Sequence, residues 1–227
     1  MTYTRNISDY NGFNISCNGL ANGSIGINPS SGSAPFVYDW TGPDGFTSPV
    51  KDISNLKAGK YVLLIKDNNY CTATETINLT EPGKLGVKFN LSESTAGGFN
   101  INCAGDSTGS IDIEPVNQVK TVDYLWSDGV FGKTRINLPA GDYSVIVTDG
   151  NNCQTNEAVT LTQPDSMKLK IDTSQPFCPD KPDGEIRLNV TGGVMGTDYS
   201  YKWSDNSTNR TLSNIKKKEF TKSQSGT

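Results

Sequence analysis

The stretch LPAGDYSVIVTDGNNC, residues 138–153, holds the pattern on which the fold turns. Tyr143, Val145 and Val147 alternate with Ser144, Ile146 and Thr148, and this period of two in β-branched and aromatic residues is that of a half-buried strand. Ahead of the strand, Leu138-x-Ala-Gly-x-Tyr143 has the form of a tyrosine corner. In that device of Greek-key sandwiches the phenol hydrogen-bonds to backbone just upstream while the ring packs inward. The same piece occurs earlier as LKAGKYVLLIKDNNYC, residues 56–71, with Tyr and Cys ten apart in both (71 − 61 and 153 − 143).

Working outward, the match extends over the whole neighbourhood. GFNISCNGLANGSIGI (12–27) is answered by GFNINCAGDSTGSIDI (98–113), and Cys17 to Trp40 spans the same 23 residues as Cys103 to Trp126. NLTEP (78–82) corresponds to TLTQP (160–164). The one change in length lies between Trp and Tyr, 21 residues in the first copy (61 − 40) and 17 in the second (143 − 126), which marks a surface loop. A third copy starts with CPDKPDGEIRL (178–188), where Gly again follows Cys by six, continues through YKWSDNST (201–208), and places Phe220 at the Tyr position. Beyond Phe220 the pattern is lost in TKSQSGT. The chain therefore divides at 1–83, 84–165 and an incomplete 166–227.

Further strand signals, FVYDW (36–40), TETINL (74–79), KLGVKFNL (84–91) and AVTLT (158–162), are separated by Gly-, Asn- and Pro-containing turns, and no helical apolar stripe is found. The fold class is all-β: tandem small immunoglobulin-like (Greek-key) β-sandwich repeats, the third incomplete. Trp40, Trp126 and Trp203 are expected in the cores. The linkers LTEPGKL and LTQPDSM are short and contain Pro, so neighbouring units are expected to be held semi-rigidly.

Composition narrows the function. The formal net charge of −4 gives no electrostatic reason to bind nucleic acid or an anionic membrane surface. No run of about 18 apolar residues is present to span a bilayer. The N-terminus lacks a signal-peptide apolar region, so an exported form is expected to be a piece of a longer protein. Histidine is absent, which excludes Ser-His-Asp and Cys-His catalysis and paired-His zinc sites. The chain is not expected to be an enzyme. Asp112 and Glu114, two apart and hence on one face of a strand, have the pattern of a glycosidase pair, but the first copy carries Gly26 and Asn28 there, and a solvated face is the expectation.

The cysteines divide two, two and one, with no C-x-x-C spacing for metal. Cys17 with Cys71 and Cys103 with Cys153 bracket their own units, and intra-unit disulfides in an oxidising compartment are the expected pairing. Buried free thiols at equivalent core positions are the other reading. Cys178 has no mate in the chain, and its disulfide state is left open. Asp67 in KDNNYC and Asp149 in TDGNNC are weak calcium candidates, against a tight turn in which each Asp hydrogen-bonds its own backbone. No other cofactor is indicated. Phe46 in TGPDGFTSP and Phe131 in SDGVFGK are possible ligand-contact aromatics, or anchors folded over the end of the sandwich. The Lys216–Lys218 run is not expected to be a binding patch.

The running pattern resembles the SprB-type repeat of gliding-motility cell-surface adhesins. The residues that carry the resemblance are Cys17, Gly23–Ile25, Tyr38, Trp40, Leu56, Ala58, Gly59, Tyr61, Asp67, Cys71, Glu81 and Pro82. In the second unit they are Cys103, Gly109–Ile111, Tyr124, Trp126, Leu138, Ala140, Gly141, Tyr143, Asp149, Cys153, Gln163 and Pro164. The resemblance implies an exported, surface-displayed, multi-repeat protein of adhesion or gliding, with no catalytic residue. Its implied partners are a polysaccharide or a cell or abiotic surface, together with other repeats of the parent chain. A carbohydrate-binding array attached to a secreted polysaccharide-degrading enzyme is the alternative.

Overall fold

A computed structural model describes residues 1–95, 97–177, 181–194 and 198–216. The chain divides into two compact units: Met1–Asn90 with Ile111–Arg135 and Asp142–Thr160, and Leu91–Ser110 with Ile136–Gly141 and Leu161–Thr227. No α-helix occurs among the described residues, and one 3-10 turn, Pro43–Gly45, sits in a loop.

The first repeat lies wholly in the first unit. β1 (Tyr3–Ile7), β2 (Gly23–Pro29) and β5 (Ile53–Leu56) form one sheet in the order β1-β2-β5. β4 (Thr47–Ser48), β3 (Val37–Thr41), β6 (Gly59–Lys66) and β7 (Thr72–Leu79) form the other in the order β4-β3-β6-β7. Every pairing is antiparallel. The chain changes sheet between β2 and β3, again before β5 and again before β6, which is Greek-key sandwich connectivity. Alternation supplies the core between the sheets. Ile25 and Ile27 of β2 face Trp40 of β3, Tyr61, Leu63 and Ile65 of β6, and Ile77 and Leu79 of β7 in one buried cluster. Trp40 is fully buried, and its indole N–H donates to the Val50 carbonyl (3.0 Å), so no polar atom is stranded. The tyrosine corner forms as expected, with the Tyr61 hydroxyl donating to the Lys57 carbonyl at 3.0 Å.

The rule that Gly follows the first Cys by six has a steric cause. A Cβ on Gly23 would stand 2.6 Å from Ile15 Cδ1 and 3.1 Å from the Leu56 carbonyl oxygen. At Gly109 the nearest atoms would be Ile101 Cδ1 at 2.7 Å and the Leu138 oxygen at 2.8 Å, and at Gly184 the Ile215 oxygen at 2.9 Å. The β2–β5 register shifts between Gly23 and Ser24, and Asn55 takes a left-handed φ of 57°. Asn137 and Asn214 do the same in the other copies, at 56° and 64°. A close approach of one strand's carbonyl to a glycine of its neighbour, beside a left-handed Asn, therefore recurs in all three repeats, with the register shift of a bulge at Gly23 and at Gly184.

In the second repeat, β8 (Gly86–Leu91), β9 (Gly109–Val116) and β11 (Thr134–Leu138) follow the order β11-β9-β8. β10 (Val122–Trp126), β12 (Gly141–Asp149) and β13 (Gln154–Leu161) follow β10-β12-β13. This is the order of the first repeat without a counterpart of β4. The shortened interval between Trp and Tyr is closed instead by a tight turn, with an isolated bridge between Leu125 and Phe131. Trp126 is buried and donates to the Gly132 carbonyl at 2.9 Å.

The third repeat supplies β14 (Asp165–Ser174), β15 (Gly184–Gly193) and β16 (Thr211–Ile215), one sheet ordered β14-β15-β16, the equivalent of β1-β2-β5. Trp203 differs from expectation. It is half-exposed, and its indole N–H donates to the Asn209 carbonyl at 2.8 Å. No strand equivalent to β6 lies over it among the described residues. Cys178, Lys217, Lys218 and Phe220 lie outside the described residues.

Candidate functional site

The two Asp-centred loops repeat one another bond for bond. Asp67, at the end of β6, accepts the Asn69 and Cys71 amides on one oxygen, both at 2.9 Å, and the Ser33 amide on the other at 3.1 Å. Asp149, at the end of β12, accepts Asn151 (2.9 Å) and Cys153 (3.0 Å) on one oxygen and Val119 (3.0 Å) on the other. Both carboxylates are buried, and both act as clamps on their own turns. The Ser33 amide, joined by those of Cys71 and Asn69 against the opposing effect of desolvation, holds the Asp67 carboxyl below its ordinary value. Among the described residues no cluster of three metal-ligating His, Cys, Asp or Glu side chains occurs.

The residue these loops present is the cysteine, and here the pairing differs from the expected one. Cys17 is bonded to Cys153, 136 residues away in the next repeat, with Cα atoms 5.6 Å apart. Cys71 and Cys103 are free and exposed. Neither a Cys17–Cys71 nor a Cys103–Cys153 bridge forms, and the reason is strand length. The Asn14 and Ile15 amides both donate to the Thr80 carbonyl, at 2.9 and 3.0 Å, which fixes the Cys17 loop at the end of the sandwich where the chain leaves for the next repeat. Cys71 precedes the other end of β7, a strand of 8 residues and hence about 26 Å long, whereas a disulfide tolerates at most about 7 Å between Cα atoms. The first cysteine marks the downstream end of a repeat and the second its upstream end. Only a neighbour can bridge them.

Around the disulfide, Asn151 reaches from its turn to the Tyr10 and Ser16 carbonyls, at 3.2 and 3.0 Å, and pairs with the Asn11 side chain. The linker is held as well. Glu81 accepts from the Gly19 amide (2.7 Å) and from Asn18 (3.2 Å), and Asn117 donates to the Lys84 carbonyl at 3.0 Å. The equal Tyr-to-Cys spacing locates the second cysteine on its strand end. Nothing in the sequence reveals that the first cysteine loop folds against Thr80, and that contact decides the pairing.

The two candidate aromatics part company. Phe46 is half-buried and packs edge-on against Tyr61, ring centroids 5.6 Å apart, so it anchors its loop to the tyrosine corner. Phe131 is 73% exposed. Beside it Leu125, paired with Ile146 in the β10–β12 register, stays partly exposed, giving the outer face of the second repeat an apolar patch. Asp112 accepts from the Thr134 hydroxyl and pairs with Lys133 at 3.3 Å; Thr134 first and Lys133 after it hold its carboxyl low, which is opposite to what a proton donor requires.

The family model for the SprB repeat matches residues 13–45, 100–131 and 171–208. Three regions of the chain, one in each repeat, are similar to the SprB repeat. Each match begins near the first cysteine position and runs past the Trp, and in repeats 1 and 2 it takes in the glycine of the close approach and the buried indole. No curated protein matches the sequence. Similar solved structures include the amphioxus IgVJ-C2 molecule (12% identity, 70% of this chain and 96% of that one, TM-score 0.26). Extracellular domains 3–5 of Drosophila OTK match at 9% identity, covering 85% and 82%, with a TM-score of 0.24. The N-terminal four Ig domains of Dscam1 isoform 6.44 match at 14% identity, covering 96% and 67%, with a TM-score of 0.25. At these scores the likeness adds nothing to the strand pairing that defines the sandwich here. No helix among the described residues is long and apolar enough to cross a membrane.

Proposed function

We infer that these SprB repeats are a segment of a secreted, multi-repeat cell-surface protein serving adhesion or gliding, in which they act as a stalk or as adhesive repeats without catalysis. The observation that carries this reading is the Cys17–Cys153 bridge, reinforced by Asn151 on Tyr10 and Ser16. A bond between successive repeats has no use in a lone binding module, and it suits a chain that transmits load from one repeat to the next. It also suits an oxidising, extracellular setting. The partners follow from the same reading: other repeats of the parent chain, and a polysaccharide or a solid surface at the far end.

The alternative, a sugar-binding array on a polysaccharide-degrading enzyme, calls for an exposed aromatic at the same place in each repeat. Phe131 offers one and Phe46 is folded against Tyr61, which favours the stalk. The test is adhesion of beads coated with the full oxidised chain to polysaccharide and to glass, run beside a glycan array. Retention on the surfaces with no defined glycan bound is the expected result. Selective binding to one glycan class, lost in Phe131→Ala, would replace the stalk with the lectin-like reading.

A further inference from the structure

Cys71 and Cys103 are left over by the Cys17–Cys153 disulfide, yet both are held in the shape of its two halves. In the second-cysteine loop, the Asp67 amide donates to the Cys71 carbonyl (3.0 Å) and the Tyr70 amide to the Asp67 carbonyl (3.0 Å). The paired loop has the same two bonds, Asp149 to Cys153 at 3.0 Å and Asn152 to Asp149 at 2.9 Å. Tyr70 and Asn152 both take left-handed φ, 64° and 61°.

The first-cysteine loops match equally well. The Leu20 amide donates to Cys17 and the Asp106 amide to Cys103, both at 3.1 Å. Asn100 and Ile101 donate to Thr162 at 3.0 Å each, as Asn14 and Ile15 do to Thr80. Gly105 donates to the Gln163 side chain at 2.8 Å, where Gly19 donates to Glu81. Both free thiols are exposed. Each loop therefore has the conformation of a bonded counterpart in this same chain and lacks only the opposite half.

We propose that Cys71 and Cys103 are the open halves of an inter-repeat disulfide ladder. Cys71 takes the first cysteine of a preceding SprB repeat, and Cys103 takes the second cysteine of a following one, so that every junction of the parent array carries one covalent staple. The inference rests on the multi-repeat reading above and gives it a specific partner chemistry: the cysteine loop of another repeat of this type. The step is thiol–disulfide exchange with an oxidised small-molecule disulfide such as oxidised glutathione. One protein thiolate attacks it, forming a mixed disulfide and releasing one glutathione thiol. The second protein thiolate then displaces the other glutathione. Two thiols and one oxidised glutathione thus become one protein disulfide and two reduced glutathiones.

The test uses the full chain at high concentration in a glutathione redox buffer, followed by non-reducing gels and mapping of linked peptides. The expected outcome is an intact Cys17–Cys153 peptide together with covalent oligomers. In the oligomers Cys71 of one copy is joined to a first-position cysteine, Cys103 or Cys178, of another, and Cys71→Ser removes them. Three outcomes overturn the proposal: a chain that stays monomeric, oligomers joined mainly like to like through Cys71–Cys71, or peptides linking Cys17 to Cys71 or Cys103 to Cys153. None of the three touches the adhesion assay, so a failed ladder and a failed stalk can be told apart.

Discussion

At the residue scale, two small features carry much of the fold. Gly23 fills a space where a methyl group would meet the Ile15 side chain and the Leu56 carbonyl. Gly23→Ala should therefore cost about 1–3 kcal/mol by overpacking, read as a lowered melting temperature, and Gly109→Ala should behave alike. An unchanged melting temperature would show that the bulge relaxes around the extra carbon. Asp67 gives a pH dependence. Its carboxyl is more acidic in the folded chain than its ordinary value of 3.8. The stability it contributes is thus present above that value and lost as pH falls through the lower, folded one. Melting curves of the wild type and Asp67→Asn between about pH 6 and pH 2 should differ most at the top of that range and converge at the bottom. A gap independent of pH would mean that the amides, rather than the charge, make the difference.

At the scale of the element, β14 is the exception. Its residues repeat the alternation of β8, whose Val87, Phe89 and Leu91 are half-buried, yet all ten residues of β14 are exposed. Met167, Leu169 and Ile171 share one face at 65%, 57% and 55% exposure, with Val190 and Leu188 of β15 opposite Leu169 and Ile171. An apolar sheet face left bare invites self-association. Leu169→Lys with Ile171→Lys should reduce light scattering on concentration while leaving the first-repeat melting transition in place. Scattering that does not change would locate the sticky surface elsewhere. The same strands show what a sequence discloses. Period-two alternation located β7, β12 and β13, because burial on one face is written residue by residue, and β6 followed from its likeness to β12. β5 and β11 escaped it. At Asn55 and Asn137 a left-handed φ breaks the alternation, and only that φ explains why Asn stands there. The buried Trp was legible in two repeats and misleading in the third, since burial depends on a strand that covers it as much as on the residue itself.

For the whole molecule, the cysteine pairing decides how the repeats work together, and it was the least legible feature. Equal spacings within each unit point to closed loops, whereas the bridge depends on which end of a sandwich each loop occupies, and that is fixed by backbone bonds to Thr80. A consequence follows for reduction. The core of the first repeat, Ile25, Trp40, Leu63 and their neighbours, contains neither bonded cysteine. Breaking Cys17–Cys153 should therefore leave the β-sheet signal of the sandwiches unchanged. What it removes is a constraint across 136 residues, worth up to about 5 kcal/mol on the chain-entropy model. That constraint acts on the junction, where Lys84 is exposed between buried Pro82 and Leu85. Tryptic cleavage after Lys84 should accelerate when the disulfide is reduced, and Cys153→Ser should reproduce the effect without reductant. If cleavage is unchanged, Asn151, Asn117 and Glu81 hold the junction by hydrogen bonds alone. If the β-sheet signal collapses, the bridge stabilises the sandwiches themselves, and the transmission of load from repeat to repeat loses its support.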